Sequence, residues 1–193
     1  MRIAVGSDHA GYDLKARLAK HLAGEGHEVV DLGTNSPDVS VDYPEFGQAV
    51  GEAVAGGRVD LGLCVCGTGI GISIAANKVH GVRAALVHDV TTAGLAREHN
   101  DANVICFGGR TTGTLVATGA LDTFLGTAYA GGRHQRRIDE ISAYEAGTAG
   151  PTAAPLAQPL GRTRAQGPTN RARPAQPPGQ SGSPVQPGQP AAS

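Results

Sequence analysis

Tryptophan is absent from the 193 residues, methionine occurs once, and aromatic residues make up only 4% of the chain. So few rings cannot interleave with a basic stripe, and no nucleic-acid-binding surface is expected. Cysteine is scarce too. Cys64, Cys66 and Cys106 are odd in number and all fall in strand-like runs, which argues against a disulfide framework and for a reduced, cytoplasmic protein. No run of about 18 apolar residues occurs, so no membrane-spanning helix is expected. The opening MRIAVGSDHAG reads as a strand with a polar loop, not as a signal peptide.

Proline is nearly missing from the first 146 residues and abundant afterwards. Ten of the twelve prolines follow Gly147, no aromatic follows Tyr144, and Arg162, Arg164, Arg171 and Arg173 have no acidic counterpart there. The large apolar side chains in that stretch are Leu156, Leu160 and Val185, each contributing about 1.5–3 kcal/mol if fully buried. Ordering the backbone costs about 1–2 kcal/mol for every residue. Residues 147–193 are therefore expected to form a disordered Pro/Gln/Ala/Gly-rich tail, and residues 1–146 a single domain with one adequate core. With a formal charge of −1 for the whole chain, that domain is net acidic.

Within the domain, apolar runs and glycine-rich turns alternate. Strand patterns fall at 2–7, 28–32, 60–66, 82–87 and 103–107. Helical patterns fall at 11–23, 44–55, 72–78, 91–98, 112–125 and 135–144, with Leu14, Leu18 and Leu22 on one face of the first and Pro44 in the first turn of the second. Strands alternating with helices predict a three-layer, Rossmann-like αβα domain around a five-stranded parallel sheet. Continuous runs such as LGLCVC suit strands covered on both faces. Ligands bind such sheets at the carboxyl ends of the strands. The polar residues expected there are Asp8 and His9, Cys66 to Gly71, His88 and Asp89, and Gly108 to Arg110.

The segment Cys66-Gly67-Thr68-Gly69-Ile70-Gly71 is the strongest local feature. Glycines between a strand end and a helix start let backbone N–H groups turn inward and form an anion-binding nest. The glycines alternate, so the segment is not a dinucleotide fingerprint, and no Gly-Lys-Ser/Thr follows to make a P-loop. Buried strand cysteines are commonly inert core, which suits Cys64 and Cys106. Cys66 instead ends its strand beside a helix N-terminus, where a thiolate is stabilised. Zinc is not expected, because Cys64-x-Cys66 has no second ligand pair nearby.

Two further segments are more polar than packing requires: Arg97-Glu98-His99-Asn100-Asp101 and Gly131-Gly132-Arg133-His134-Gln135-Arg136-Arg137. Arg133 and Arg137 are four apart, so on a helix both guanidinia share one face, an arrangement suited to a phosphate dianion. Taken alone, such a cluster reads by default as a solvated basic helix start.

The stretches SDHAGYDLK (7–15), DYP (42–44), CGTGIGISIAANK (66–78), AREHND (96–101), FGGR (107–110) and GGRHQRRI (131–138) together resemble the type B ribose-5-phosphate isomerases. The likeness runs in order through the entire domain and leaves only the tail outside. It is to the branch with cysteine at the strand end. A second branch places a glutamate a few positions later as the base, and here Ser73 and Ile74 offer no acid.

The resemblance implies cofactor-free and metal-free isomerisation of ribose 5-phosphate to ribulose 5-phosphate through an enediolate, a step of the pentose phosphate pathway. It implies Cys66 as the base, assisted by Thr68, with backbone N–H groups from Gly67 through Gly69 and Ile70 to Gly71 around the enediolate oxygen. His99 would open the furanose ring and donate a proton, Asp8 would engage sugar hydroxyls or the ring oxygen, and Asn100 would bind the sugar. His9, Arg110, Arg133 and Arg137 would surround the phosphate, and Tyr43 would border the pocket. Tyr12 and His134 are read as ordinary structural residues. A homodimer or dimer of dimers with shared active sites is implied as well. Two other readings stand beside this one: an isomerase of galactose 6-phosphate or allose 6-phosphate, and a flavodoxin-like nucleotide-binding module without catalysis. The second explains the glycines but not the joint occurrence of a base, a ring-opening histidine and an arginine cluster.

Overall fold

The computed structural model describes residues 1–150, so the expected tail lies, beyond residue 150, outside the described residues. The strands are β1 (Arg2–Ser7), β2 (Glu28–Asp31), β3 (Leu61–Cys66), β4 (Ala84–Leu86) and β5 (Val104–Gly108). The helices are α1 (Tyr12–Gly24), α2 (Tyr43–Ala55), α3 (Ile70–Ala76), α4 (Val90–Asn100), α5 (Thr114–Gly126) and α6 (Arg133–Glu145). All strand pairs are parallel, in the order β2-β1-β3-β5-β4. None of the described helices is long and apolar enough to cross a membrane.

Side-chain alternation along the strands divides the interior in two. Ile3, Val5, Leu63, Val65, Ile105 and Phe107 meet Leu14, Leu18 and Leu22 of α1 and Leu121 and Phe124 of α5. Ala4, Cys64, Cys66, Val104 and Cys106 point the other way, onto Val50 and Val54 of α2 and Ile72 and Ala76 of α3. β3 and β5 are buried at every position, as the run LGLCVC predicts.

Several boundaries shift from the sequence pattern by one or two residues, three of them as follows. α3 begins at Ile70 rather than 72, because Gly69 (φ +78°) caps it and turns the loop straight into the helix. β4 shrinks to three residues at the sheet edge, where the Asn77 amide takes the place of a neighbouring strand. Its Oδ1 accepts from the Ala84 N–H and its Nδ2 donates to the Ala84 carbonyl, both at 2.9 Å. α6 begins at Arg133, so Arg133 and Arg137 share a face as the spacing predicts. The strand order reverses between β1 and β3, which puts the crevice of an open α/β sheet beside Asp8 and Cys66.

Candidate active site

Cys66 is the last residue of β3 and only 3% exposed. Its Sγ accepts the Gly69 N–H at 3.2 Å, a bond that strengthens when the sulfur carries charge. The Ile70 N–H goes to Thr68 Oγ1 at 3.4 Å, while those of Gly67, Thr68 and Gly71 find no acceptor among the described residues. The loop after β5 is tied to this one, with the Gly109 N–H on the Cys66 carbonyl at 2.8 Å and the Arg110 N–H on the Gly67 carbonyl at 3.0 Å. The Arg110 side chain lies against Gly67. Thr68 and Arg110 are exposed and Cys66 is covered, so the loop presents a polar rim over a buried sulfur.

The glycines at 69 and 71 are required by close approach. A Cβ on Gly69 would stand 2.8 Å from the Phe107 carbonyl carbon, and one on Gly71 would stand 2.5 Å from the Tyr43 ring. Tyr43 therefore does border the loop.

Asp8 is buried, and its Oδ1 accepts the Gly11 N–H at 2.9 Å, closing a 3-10 turn at His9–Gly11. Nδ1 of His9 lies 3.2 Å from both the N–H and the carbonyl of Val41. Beneath this turn sits a feature the sequence analysis did not single out. Lys15 is 1% exposed, and its Nζ donates to both oxygens of Asp31 at 2.7 and 2.8 Å and to the Thr34 carbonyl at 2.8 Å. Gly33 and Thr34 in turn pair with the backbone of Ser7, each at 2.7 Å, so the lysine props the segment that carries Asp8. Cys64 and Cys106 pack beside Cys66 in the core as free, buried thiols. A hydrogen bond with Cys64, together with full burial, pushes the Cys106 thiol well above its ordinary range.

His99, Asn100, Arg133 and Arg137 are elsewhere. A helix following a parallel strand runs back along it, so α4 leaves the carboxyl end of β4 and finishes at the amino end of the sheet. There the Asn100 carbonyl accepts from Arg83, the residue before β4. Cys66 pairs with Gly108, the last residue of β5, whereas Ala84 pairs with Val104, its first. The two groups are thus separated by the length of β5, about 13 Å for four residue steps.

At the amino end His99 is half-exposed and its ring stacks on that of His134, with centroids 4.3 Å apart and planes within 8°. Glu98 Oε1 lies 3.8 Å from His99 Nε2, and Arg133 Nε lies 3.4 Å from His134 Nε2. His134 titrates below its ordinary value because burial disfavours the charged ring, with His99, Arg133 and Arg137 adding repulsion. His134 thus packs directly on a candidate site residue. Only a contact between α4 and α6 reveals it, and no local pattern carries that signal. The Tyr12 ring centroid lies 5.5 Å from Lys15 Nζ.

A model of the ribose/galactose isomerase family matches residues 3–141. The chain is 49% identical over 144 residues to ribose-5-phosphate isomerase B of Escherichia coli, covering 75% of this chain and 96% of that one. Among solved structures, ribose-5-phosphate isomerase B of Clostridium thermocellum superposes with a TM-score of 0.75 at 48% identity, over 77% of this chain and all of the other. The Mycoplasma genitalium enzyme of the same name, with bound ribulose 5-phosphate, superposes with a TM-score of 0.72 at 46% identity, over 75% and 96% of the two chains.

Proposed function

The chain belongs to the ribose/galactose isomerase family, and from that premise we propose how its residues divide the interconversion of ribose 5-phosphate and ribulose 5-phosphate. The protein is an aldose–ketose isomerase for this pair. The furanose must open, and a proton must then move from C2 to C1 through an enediolate. Cys66, as thiolate, takes the C2 proton and returns it to C1, with the Thr68 hydroxyl beside it. The Gly69 N–H supports the charged sulfur. The uncommitted N–H groups of Gly67, Thr68 and Gly71, with Ile70 completing the turn, face the enediolate oxygen. Donors fixed by the fold need no reorganisation as charge develops. Asp8 holds sugar hydroxyls, and His9 and Arg110 line the phosphate end.

His99 donates a proton to the ring oxygen as its bond to C1 breaks, Asn100 holds the sugar, and Arg133 and Arg137 close on the phosphate. C2 and the ring oxygen are both bonded to C1. Groups acting on them within hydrogen-bond reach must therefore lie within about 8 Å of each other. Cys66 and His99 of one subunit stand farther apart than that. The observation that carries the reading is this separation: a complete site joins the Cys66 end of one copy to the His99 end of another, in a homodimer or a dimer of dimers. The three free cysteines suit a reducing compartment, and we place the enzyme in the cytoplasm.

Replacing Cys66 by alanine is expected to lower turnover of ribose 5-phosphate by about 10²–10⁴, or roughly 2.7–5.4 kcal/mol, with melting temperature and oligomer unchanged. A folded Cys66→Ala protein that keeps most of its activity overturns the assignment. Turnover of ribose 5-phosphate, galactose 6-phosphate and allose 6-phosphate side by side checks the choice of sugar.

A further inference from the structure

α4 ends on Asp101, a residue without a role so far. It stands at φ +44°, ψ +44°, and is the one non-glycine residue at positive φ among the described residues. That region is unfavourable for an L-residue, and helices that end this way most often use glycine. Here the side chain is what holds the turn. The Asp101 carboxylate accepts Arg83 Nη2 at 3.0 Å and Arg97 Nη1 at 2.7 Å. The same two guanidinia also hold the backbone around it. Arg83 Nε donates to the carbonyls of Asn100 and Asp101, both at 3.0 Å, and Arg97 Nη1 donates to that of Ala102 at 2.7 Å. Main-chain bonds from the Asp101 N–H to the Arg97 carbonyl and from the Ala102 N–H to the Ala96 carbonyl, both at 3.0 Å, close the turn. The arginine side chains are only 25% and 18% exposed, so these charge-assisted bonds are partly shielded from solvent.

Helix ends ordinarily fray, yet the last two helical residues of α4 are His99 and Asn100. We propose that Asp101, through Arg83 and Arg97, is a positioning residue for this pair. It fixes the final turn of α4 so that the His99 ring rests on His134 and is offered to the Cys66 loop of a second subunit. The proposal rests on the reading of His99 as the ring-opening group. Its rival is a helix cap that serves stability alone.

The two are separated by substrate chemistry. Ribulose 5-phosphate cannot close a furanose ring, because its C5 oxygen carries the phosphate, so its C1 hydrogen exchanges with solvent deuterium without any ring-opening step. Asp101→Gly removes the carboxylate while easing the backbone conformation. Positioning predicts that this variant melts within a few degrees of wild type and exchanges the C1 hydrogen of saturating ribulose 5-phosphate within about two-fold of wild type. It also predicts kcat on cyclic ribose 5-phosphate reduced by about 10–100-fold, as a misplacement on the order of 1 Å produces, with His99→Asn showing the same selective loss. Equal loss in both assays together with a fall in melting temperature means a cap only. Full turnover of ribose 5-phosphate by Asp101→Gly beside an impaired His99→Asn overturns the positioning role while leaving that of His99 intact. Unimpaired His99→Asn overturns both. If Asp101→Gly does not fold, Asp101→Asn, which tolerates the same backbone conformation without the charge, is read against the same outcomes.

Discussion

At the carboxyl end of the sheet the candidate groups are largely backbone N–H donors around a covered sulfur. At the amino end they are the polar and charged side chains of His99, Asn100, Arg133 and Arg137, half or fully exposed. The first set is held by the fold itself, through the Gly69 cap and the bonds that tie the loops after β3 and β5 together. The second needs separate props: the His99–His134 stack and the two arginines on Asp101. Stabilising developing charge calls for donors that do not move, which main chain supplies best. Gripping a phosphate and opening a ring call for full charges and a titrating group, which only side chains supply. On the proposed reading, a protomer that keeps these at opposite ends of one sheet holds two half-sites.

Mixed assemblies test that division most severely. Cys66→Ala and His99→Asn subunits, each impaired alone on ribose 5-phosphate, are expected to regain about a quarter of wild-type activity when co-expressed. Random pairing makes half of the dimers mixed, and each mixed dimer has one intact site of two. Activity that stays at the level of the single variants, with mixed dimers confirmed by differential tagging, places both groups in one subunit's site.

A smaller effect should follow from damage to the side-chain end alone. Arg137→Ala should weaken inhibition by inorganic phosphate by about 10–150-fold, since a hydrogen bond to a charged group contributes roughly 1.5–3 kcal/mol. Inhibition undiminished in both Arg137→Ala and Arg133→Ala returns the two arginines to a solvated surface cluster.

The smallest effect concerns pH. His134 is held below its ordinary value of 6.5 by burial and by its cationic neighbours. The unfolded chain therefore takes up that proton before the folded one does. Stability from this source is full above about pH 6.5 and declines as pH falls through and below it. Melting temperature should drop more between pH 7 and 5 in wild type than in His134→Asn, and the two slopes should agree above pH 7.5. Equal slopes throughout mean that the stack does not resist protonation.

Most of the fold could be read from the sequence because period-2 and helical patterns are local. β3 was expected from 60 and is found from Leu61, and β5 was expected from 103 and is found from Val104. The Cys66–Gly71 loop was legible for the same reason, being contiguous. Lys15 was not. It sits beside Leu14 as any solvated helix lysine would, and only the chain folding back through Asp31 and Thr34 buries it. Nor was Asp101, whose significance is a backbone angle and two arginines, one of them eighteen residues away. How far across the sheet His99 lies from Cys66 follows from strand order, which β4 and β5 settle by exchanging places at the sheet edge.

The close contacts at Gly69 and Gly71 also bear on how such an enzyme can diversify. A methyl group at either position collides with the Phe107 carbonyl or the Tyr43 ring, so these two positions are closed to ordinary substitution. The ends of α4 and α6 carry exposed side chains that can be exchanged without disturbing the sheet. If the proposed shared site holds, a lineage drifting toward a longer sugar phosphate would keep Gly69 and Gly71 fixed and record its history in the residues around His99 and Arg137, on the subunit opposite the sulfur.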